Sequence, residues 1–359
     1  MDWSGGNRKA LRIFLADRAE SVGEQVRDWA RSSNGWFSVE AFRSSHQLLR
    51  RFACERPDLV LLDLTMEGMD GLTALRALAP SGVPAVMLSE PTAEGARAAM
   101  EALIGGASDC LLKTRMRGHE RIALAPREFT RRLSRAMVAS DGTPPCGRGE
   151  RQIWRTVEID DRGQVVAGRP TADPFPRRFW VGLTFVPPRC LGRMVRSLAE
   201  APERPLGGML LETGLPPRFS RALAEAATRH WNRAVLEMRD GEVLRPGQWR
   251  VVPGSHLVRL SGGTRQSPRV ALAPGRHPRE NDGLVRQIEL LLDASPDHVR
   301  LYLFEQPDPG SREALERLIA AGGTVLLQGR GASVLRFERR EEAVHEGEGH
   351  ACGSHRRVA

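Results

Sequence analysis

Between Leu11 and Lys113, five short apolar runs alternate with four amphipathic stretches, and this alternation restricts the fold more than any other feature of the chain. The runs are Leu11–Ala16, Trp36–Phe42, Asp58–Asp63, Val83–Ser89 and Ser108–Leu112; helical patterns lie between them near residues 18–31, 45–54, 71–79 and 93–105. Strands separated by helices cannot pair through tight turns, so they form a parallel sheet with helices on both faces. The carboxyl ends of such strands converge on one rim, where ligands bind. That rim should carry Asp17 after the first run, Asp63 closing the third, Ser89 closing the fourth and Lys113 after the fifth. Two carboxylates, a hydroxyl and an ammonium suit a divalent cation and a phosphoryl group, with a carboxylate as nucleophile. Strand-end polar groups also cap helices. Four chemically matched groups at four separate ends favour a site.

Residues 115–178 differ in kind. An Arg-rich helical stretch around Pro126–Ala139 precedes a Gly/Pro-rich break. A short hairpin follows, with strands at Trp154–Ile159 and Gln164–Ala167 about an Asp161-Arg162-Gly163 turn, and Pro170, Pro174 and Pro176 close the segment. This composition reads as a linker. From Phe179 a second alternation begins, with strands at Phe179–Thr184, Gly208–Glu212, Ala234–Met238, Gln248–Val252, Val299–Phe304 and Thr324–Gln328. The expected architecture is α/β: a (βα)5 unit at residues 1–125, a linker at 126–178, a Rossmann-like doubly wound unit at 179–340, and a disordered tail at 341–359. The tail holds His345, His350, Cys352 and His355, but their irregular spacing does not describe a metal site.

The net charge of +9 raises a nucleic-acid partner. Its distribution argues against one. Residues 1–114 carry a net −2, residues 115–178 a net +6 and residues 179–359 a net +5, and only Lys9 and Lys113 among the 53 basic residues are lysine. An arginine bias spread over the whole chain is a solvated surface rather than a built phosphate-binding face, and no helix-turn-helix or aromatic-basic interleaving stands out. The five cysteines form no C-x-x-C pair, and no stretch approaches the ~18 apolar residues of a membrane span. A cytoplasmic protein without membrane insertion is expected.

The segment Asp58-Leu-Val-Leu-Leu-Asp63-Leu-Thr-Met-Glu-Gly-Met-Asp-Gly71, with Val86-Met-Leu-Ser89 and Asp109-Cys-Leu-Leu-Lys113, resembles the receiver domain of bacterial response regulators. The resemblance implies that Asp63 is the phosphoacceptor, that Asp17 and Asp63 with the Thr65 backbone carbonyl hold Mg²⁺, and that Ser89 and Lys113 contact the phosphoryl group. Ala16 stands where the family carries a second acid, Glu67 and Thr114 where it carries prolines, and Cys110 where an aromatic is frequent. One carboxylate fewer implies a weakened Mg²⁺ site.

The remainder is similar to the catalytic domain of the chemotaxis protein-glutamate methylesterase (CheB) family. Asp240-Gly-Glu-Val-Leu-Arg-Pro-Gly247, Val252-Pro-Gly-Ser-His-Leu257, Leu215-Pro-Pro-Arg-Phe219 and Ala321-Gly-Gly-Thr324 carry the likeness, which spans roughly residues 179–329. The chemical positions depart from it. The nucleophile turn reads Gly182-Leu-Thr184-Phe-Val-Pro-Pro188, so threonine replaces serine, and Val186 and Pro187 replace the glycines that would present backbone donors. The family's base falls at Thr213, and its orienting aspartate at Gly310, or at Asp308 if a gap intervenes. His256 and His230 are spare imidazoles outside that triad. The expectation is a response regulator of a chemotaxis or pilus-type chemosensory system. A sensor histidine kinase and a chemoreceptor cytoplasmic region would be its partners, and its second domain would bind without catalysing. The alternatives are an active methylesterase or glutamine deamidase, and a nucleic-acid-binding regulator.

Overall fold

The computed structural model describes residues 10–138, 153–159, 165–171, 180–186, 188–199, 207–212, 215, 217–254, 256–264, 267–274, 280–293, 296–304, 307 and 309–329. The first unit runs β1 (Leu11–Ala16), α1 (Glu20–Arg31), β2 (Phe37–Phe42), α2 (Ser45–Cys54), β3 (Leu59–Asp63), α3 (Gly71–Leu78), β4 (Ala85–Ser89), α4 (Ala93–Ile104), β5 (Asp109–Met116), β6 (His119–Ile122) and α5 (Pro126–Val138). The strands order β2-β1-β3-β4-β5-β6, parallel except for β6, which pairs antiparallel with β5. All five residues of the central β3 are buried, because helices cover both faces. Ser44, Asp70 and Thr92 each accept a backbone N–H at the start of α2, α3 and α4, caps worth about 1 kcal/mol apiece.

The second unit runs β7 (Ile153–Ile159), β8 (Val165–Pro170), β9 (Val181–Phe185), α6 (Leu191–Ala199), β10 (Gly208–Glu212), α7 (Pro217–Trp231), β11 (Val235–Glu237), β12 (Glu242–Val243), β13 (Trp249–Val251), β14 (His256–Thr264), β15 (Ser267–Pro274), α8 (Glu280–Leu292), β16 (Val299–Leu303), α9 (Arg312–Ala320) and β17 (Thr324–Gly329). Its eight-stranded sheet orders β11-β13-β10-β9-β16-β17-β7-β8, and a three-stranded sheet β12-β15-β14 lies apart from it. The protein is thus a receiver-type unit followed by a second α/β unit with a mixed sheet.

Two features differ from the sequence expectation. The stretch 126–178, read as a linker, supplies structure to both units. Phe129, Leu133 and Ala136 bury one face of α5 under the receiver sheet, and Arg132 donates to both carboxylate oxygens of Asp109 on β5. The expected hairpin forms as β7 and β8, but β7 pairs antiparallel with β17 and so extends the second sheet. Buried Trp154 and Val157 explain the docking. The β14–β15 hairpin is absent from the sequence expectation, because Gly262-Gly263 interrupts its apolar pattern. The tail residues 341–359 lie outside the described residues.

The two units share one core. It runs from Leu48, Leu75 and Met87 through Met100 and Leu103 of α4 to Leu191, Met194, Leu198, Leu223 and Trp231 on α6 and α7. Each such side chain contributes about 1.5–3 kcal/mol by leaving water. Gly192 of α6 faces the end of α4 so closely that a Cβ there would lie 2.5 Å from the Ile104 carbonyl oxygen. Around this seam Arg97 pairs with Glu225 at 3.1 Å, Arg218 donates to the Pro91 carbonyl at 2.6 Å, and Arg196 donates to that of Ile104 at 3.4 Å.

Candidate functional site

Asp17 just past β1, Asp63 closing β3 and Lys113 lie together; Lys113 falls inside β5 rather than after it, immediately beyond the part of the strand that pairs with β4. Lys113 Nζ lies 2.8 Å from Asp63 Oδ2 and 3.5 Å from Asp17 Oδ2. Asp63 Oδ1 accepts from the Thr65 backbone N–H at 3.1 Å and from its hydroxyl at 3.0 Å, which orients the carboxylate. Gly71 opens α3 directly behind it; a Cβ at that position would lie 2.3 Å from the Asp63 carbonyl oxygen, so only glycine lets the helix approach the strand. Asp17 Oδ1 accepts from the Ala19 N–H at 2.8 Å at the entry to α1. Ser89 is buried at the end of β4, but its hydroxyl donates to the Gly95 carbonyl at 2.9 Å and so faces the first turn of α4.

Burial and the neighbouring Asp63 carboxylate push the Asp17 carboxyl up from 3.8 to about 6, against the opposing pull of Lys113. Burial also works against the Lys113 ammonium, but the Asp17 and Asp63 charges and its hydrogen bonds outweigh it and raise its pKa. Between pH 3.8 and about 6 the folded state holds a proton on Asp17 that the unfolded chain has released. Stability therefore falls as pH rises through this window, and the cost is complete above it. Asp17→Asn should stabilise the metal-free protein by about 1–3 kcal/mol near pH 8. That gain should vanish below the lower limit of the window. Urea unfolding in a chelating buffer at the two pH values measures both.

Two further side chains complete the rim, and the sequence pattern does not single them out. Glu120 on β6 accepts from Lys113 Nζ at 2.9 Å. Arg18 pairs with Glu90 at 3.0 Å and lies 3.7 Å from Glu120. Glu120 reaches the site because β5 continues to Met116 and folds back through Arg117 and Gly118, both at positive φ. The only signal is an Arg-Gly dipeptide inside a polar stretch, weaker than the Asn-Gly or Asp-Gly that marks such turns.

The second unit presents no comparable cluster among its described residues. Thr184 is the fourth residue of β9, paired in register with Leu211 and Tyr302. It is fully buried, and its hydroxyl donates to the Leu210 carbonyl at 3.3 Å. Val186, just beyond the strand, is buried in the shared core. Gly310 is exposed in a short turn at Pro309–Ser311. Thr213, Pro187 and Asp308 lie outside the described residues. His256 begins β14, with Nδ1 3.2 Å from the Gly254 carbonyl oxygen, and His230 lies in the last turn of α7. Among the described residues no group of three or more His, Cys, Asp or Glu side chains is placed to hold a metal ion, and no helix is long and apolar enough to cross a membrane.

Residues 13–122 match the response regulator receiver domain. Over nearly the whole length the chain is similar to three curated proteins. It is 30% identical over 340 residues to protein-glutamate methylesterase/protein-glutamine glutaminase 1 of Xanthomonas euvesicatoria pv. vesicatoria, covering 90% of this chain and 89% of that one. It is 28% identical over 356 residues to protein-glutamate methylesterase/protein-glutamine glutaminase 5 of Anaeromyxobacter dehalogenans, covering 96% and 93%. It is 25% identical over 359 residues to the corresponding group 2 operon protein of Bradyrhizobium diazoefficiens, covering 92% and 89%. The alignments run through both units rather than stopping at the receiver.

Proposed function

We propose, from the premise that this chain belongs to the protein-glutamate methylesterase/protein-glutamine glutaminase family, that it is a phosphorylation-responsive regulator whose second domain binds its target without hydrolysing it. The receiver takes a phosphoryl group on Asp63 from a sensor histidine kinase. The second domain engages a chemoreceptor cytoplasmic region. This is a cytoplasmic chemosensory role.

The Asp63–Lys113–Asp17 cluster supports the first half. A carboxylate oxygen of Asp63 attacks phosphorus in line with the leaving group. Lys113 stabilises charge on the transferred oxygens, and Thr65 holds the carboxylate against rotation. The oxygen donors present fit a hard cation: Asp17 and Asp63 would hold Mg²⁺ with the Thr65 carbonyl, since Mg²⁺ takes one or two carboxylates and keeps several waters. Burial and the facing Asp63 charge work against the Asp17 carboxylate, and a cation beside both carboxylates would offset that repulsion. Bound Mg²⁺ neutralises charge on the phosphoryl oxygens. With Ala16 beside Asp17 in place of a second acid, that site is weak.

The second half is carried by one observation: Thr184 is sealed inside the sheet with its hydroxyl bonded to a backbone carbonyl. A nucleophile must stand free at the end of a strand beside a base. Thr213 at the base position cannot accept a proton near neutral pH, and Pro187 lacks an N–H for an oxyanion. The experiment is methanol release from a methylated receptor fragment, run with and without an acyl-phosphate donor. We expect none above buffer from wild type or from Thr184→Ser, together with measurable binding of the fragment that Thr184→Ala leaves unchanged. Methanol release abolished by Thr184→Ala would instead establish an active methylesterase, the activity its curated relatives are named for.

A further inference from the structure

An ammonium has three donors, and at Lys113 all three are directed at carboxylates. Nζ lies 2.8 Å from Asp63, 2.9 Å from Glu120 and 3.5 Å from Asp17. A phosphoryl group arriving on Asp63 needs one of those donors for its own oxygens. Asp17 and Asp63 sit on strand ends with side chains at most 1% exposed. Glu120 projects from the sheet-edge strand β6 and is 14% exposed. Its backbone is anchored: the Ser21 hydroxyl donates to the Glu120 carbonyl at 2.8 Å, and the Gln25 amide exchanges two hydrogen bonds with Ile122. Its carboxylate has alternative cations close by, Arg115 at 3.5 Å and Arg18 at 3.7 Å. The main chain of Glu120 is held while its side chain can exchange one cation for another.

We propose that Glu120 is a positioning residue of the phosphoryl-transfer site, a tethered carboxylate that holds Lys113 until phosphoryl oxygens replace it and that then passes to Arg18. The inference rests on the reading of Asp63 as the acceptor. In the transfer from acetyl phosphate, a bond forms between an Asp63 oxygen and phosphorus as the bond from phosphorus to the acetate oxygen breaks. Acetate leaves with the electron pair, and no proton is exchanged. Glu120 hinders this step in two ways. It occupies a donor the product needs, and its charge repels the incoming dianion across a poorly solvated gap. The Arg18–Glu90 pair closes the same rim from outside, so the carboxylate has a destination that costs no unpaired charge.

Glu120→Gln keeps the shape and removes the charge. Its initial rate of phosphorylation by acetyl phosphate at saturating Mg²⁺ should rise about tenfold over wild type, with Glu120→Asp returning most of the restraint. A second readout does not depend on phosphorylation. The chain has only two lysines, so acylation of Lys113 by acetic anhydride can be followed by peptide mass with Lys9 as internal reference. Lys113 should react several-fold faster in Glu120→Gln than in wild type, because one of the three carboxylates that hold Nζ inside the rim is gone. Thermal unfolding run alongside separates this from general loosening, which would lower the melting temperature without being reversed by Glu120→Asp. Unchanged phosphorylation and unchanged acylation would overturn the role of Glu120 and leave Asp63 as acceptor. If no variant is phosphorylated, the reading of Asp63 fails, and the role of Glu120 in phosphoryl transfer falls with it.

Discussion

Saturating acetyl phosphate with Mg²⁺ should add one phosphoryl group to the wild-type chain and none to Asp63→Asn, read by intact mass. The effect is all or none because Asp63 is the one carboxylate of the rim whose oxygens are fixed by both Thr65 and Lys113. Asparagine keeps the shape and one acceptor oxygen, which can serve Thr65 or Lys113 but not both, and it removes the carboxylate nucleophile. The Mg²⁺ concentration for half-maximal labelling is the second part of the result. Ala16 is buried beside Asp17, and Ala16→Asp restores a third carboxylate to the cation side of the site. That change should lower the Mg²⁺ requirement by about tenfold or more, since affinity for hard cations follows the anionic ligand count. Labelling that persists in Asp63→Asn would move the acceptor elsewhere. A Mg²⁺ requirement unchanged by Ala16→Asp would remove Asp17 from the cation site.

Gly192→Leu should separate the two units. The glycine faces backbone, the Ile104 and Leu103 carbonyl groups at the end of α4, and not a side chain that could swing away. Even a methyl group meets the Ile104 carbonyl oxygen at 2.5 Å, so a leucine must displace α6 from α4. Overpacking costs about 1–3 kcal/mol where a core can adjust, and more where the obstacle is a carbonyl. Displacement would also expose Met100, Leu103, Leu191 and Met194 to water. The expected outcome is a larger radius of gyration in solution scattering and faster proteolytic cleavage within residues 139–152, with the secondary-structure signal retained. Arg97→Ala removes an exposed ion pair at the same seam and should have a small effect on either measure. A Gly192→Leu protein with unaltered scattering and cleavage would show that the seam carries little of the association.

Much of the receiver is legible in its residues alone. Apolar runs at the strand period, separated by amphipathic stretches, locate all five of its parallel strands. Because parallel strands all end on the same rim, the same pattern is enough to bring Asp17, Asp63 and Lys113 to one place. In the second unit the run Gly208–Glu212 coincides with β10 at both ends, since a short apolar run between glycine and turn residues has few other uses. That position 184 is a threonine and position 187 a proline is equally legible, because the groups a residue carries are a property of the residue itself. Relations between segments distant in the chain are of another kind, and they emerge only from the folded molecule. Whether residues 126–178 belong to a linker or to the units beside them depends on what their apolar faces meet: α5 meets the receiver sheet and β7 meets β17. Glu120 approaches Lys113 only because a two-residue turn reverses β5, and the local sequence signals that turn weakly. The burial of Thr184 beside Tyr302 and the shared core of α4, α6 and α7 depend on contacts between segments far apart in the chain. Periodicity reports which face of an element is apolar; it carries no information about which other face will cover it.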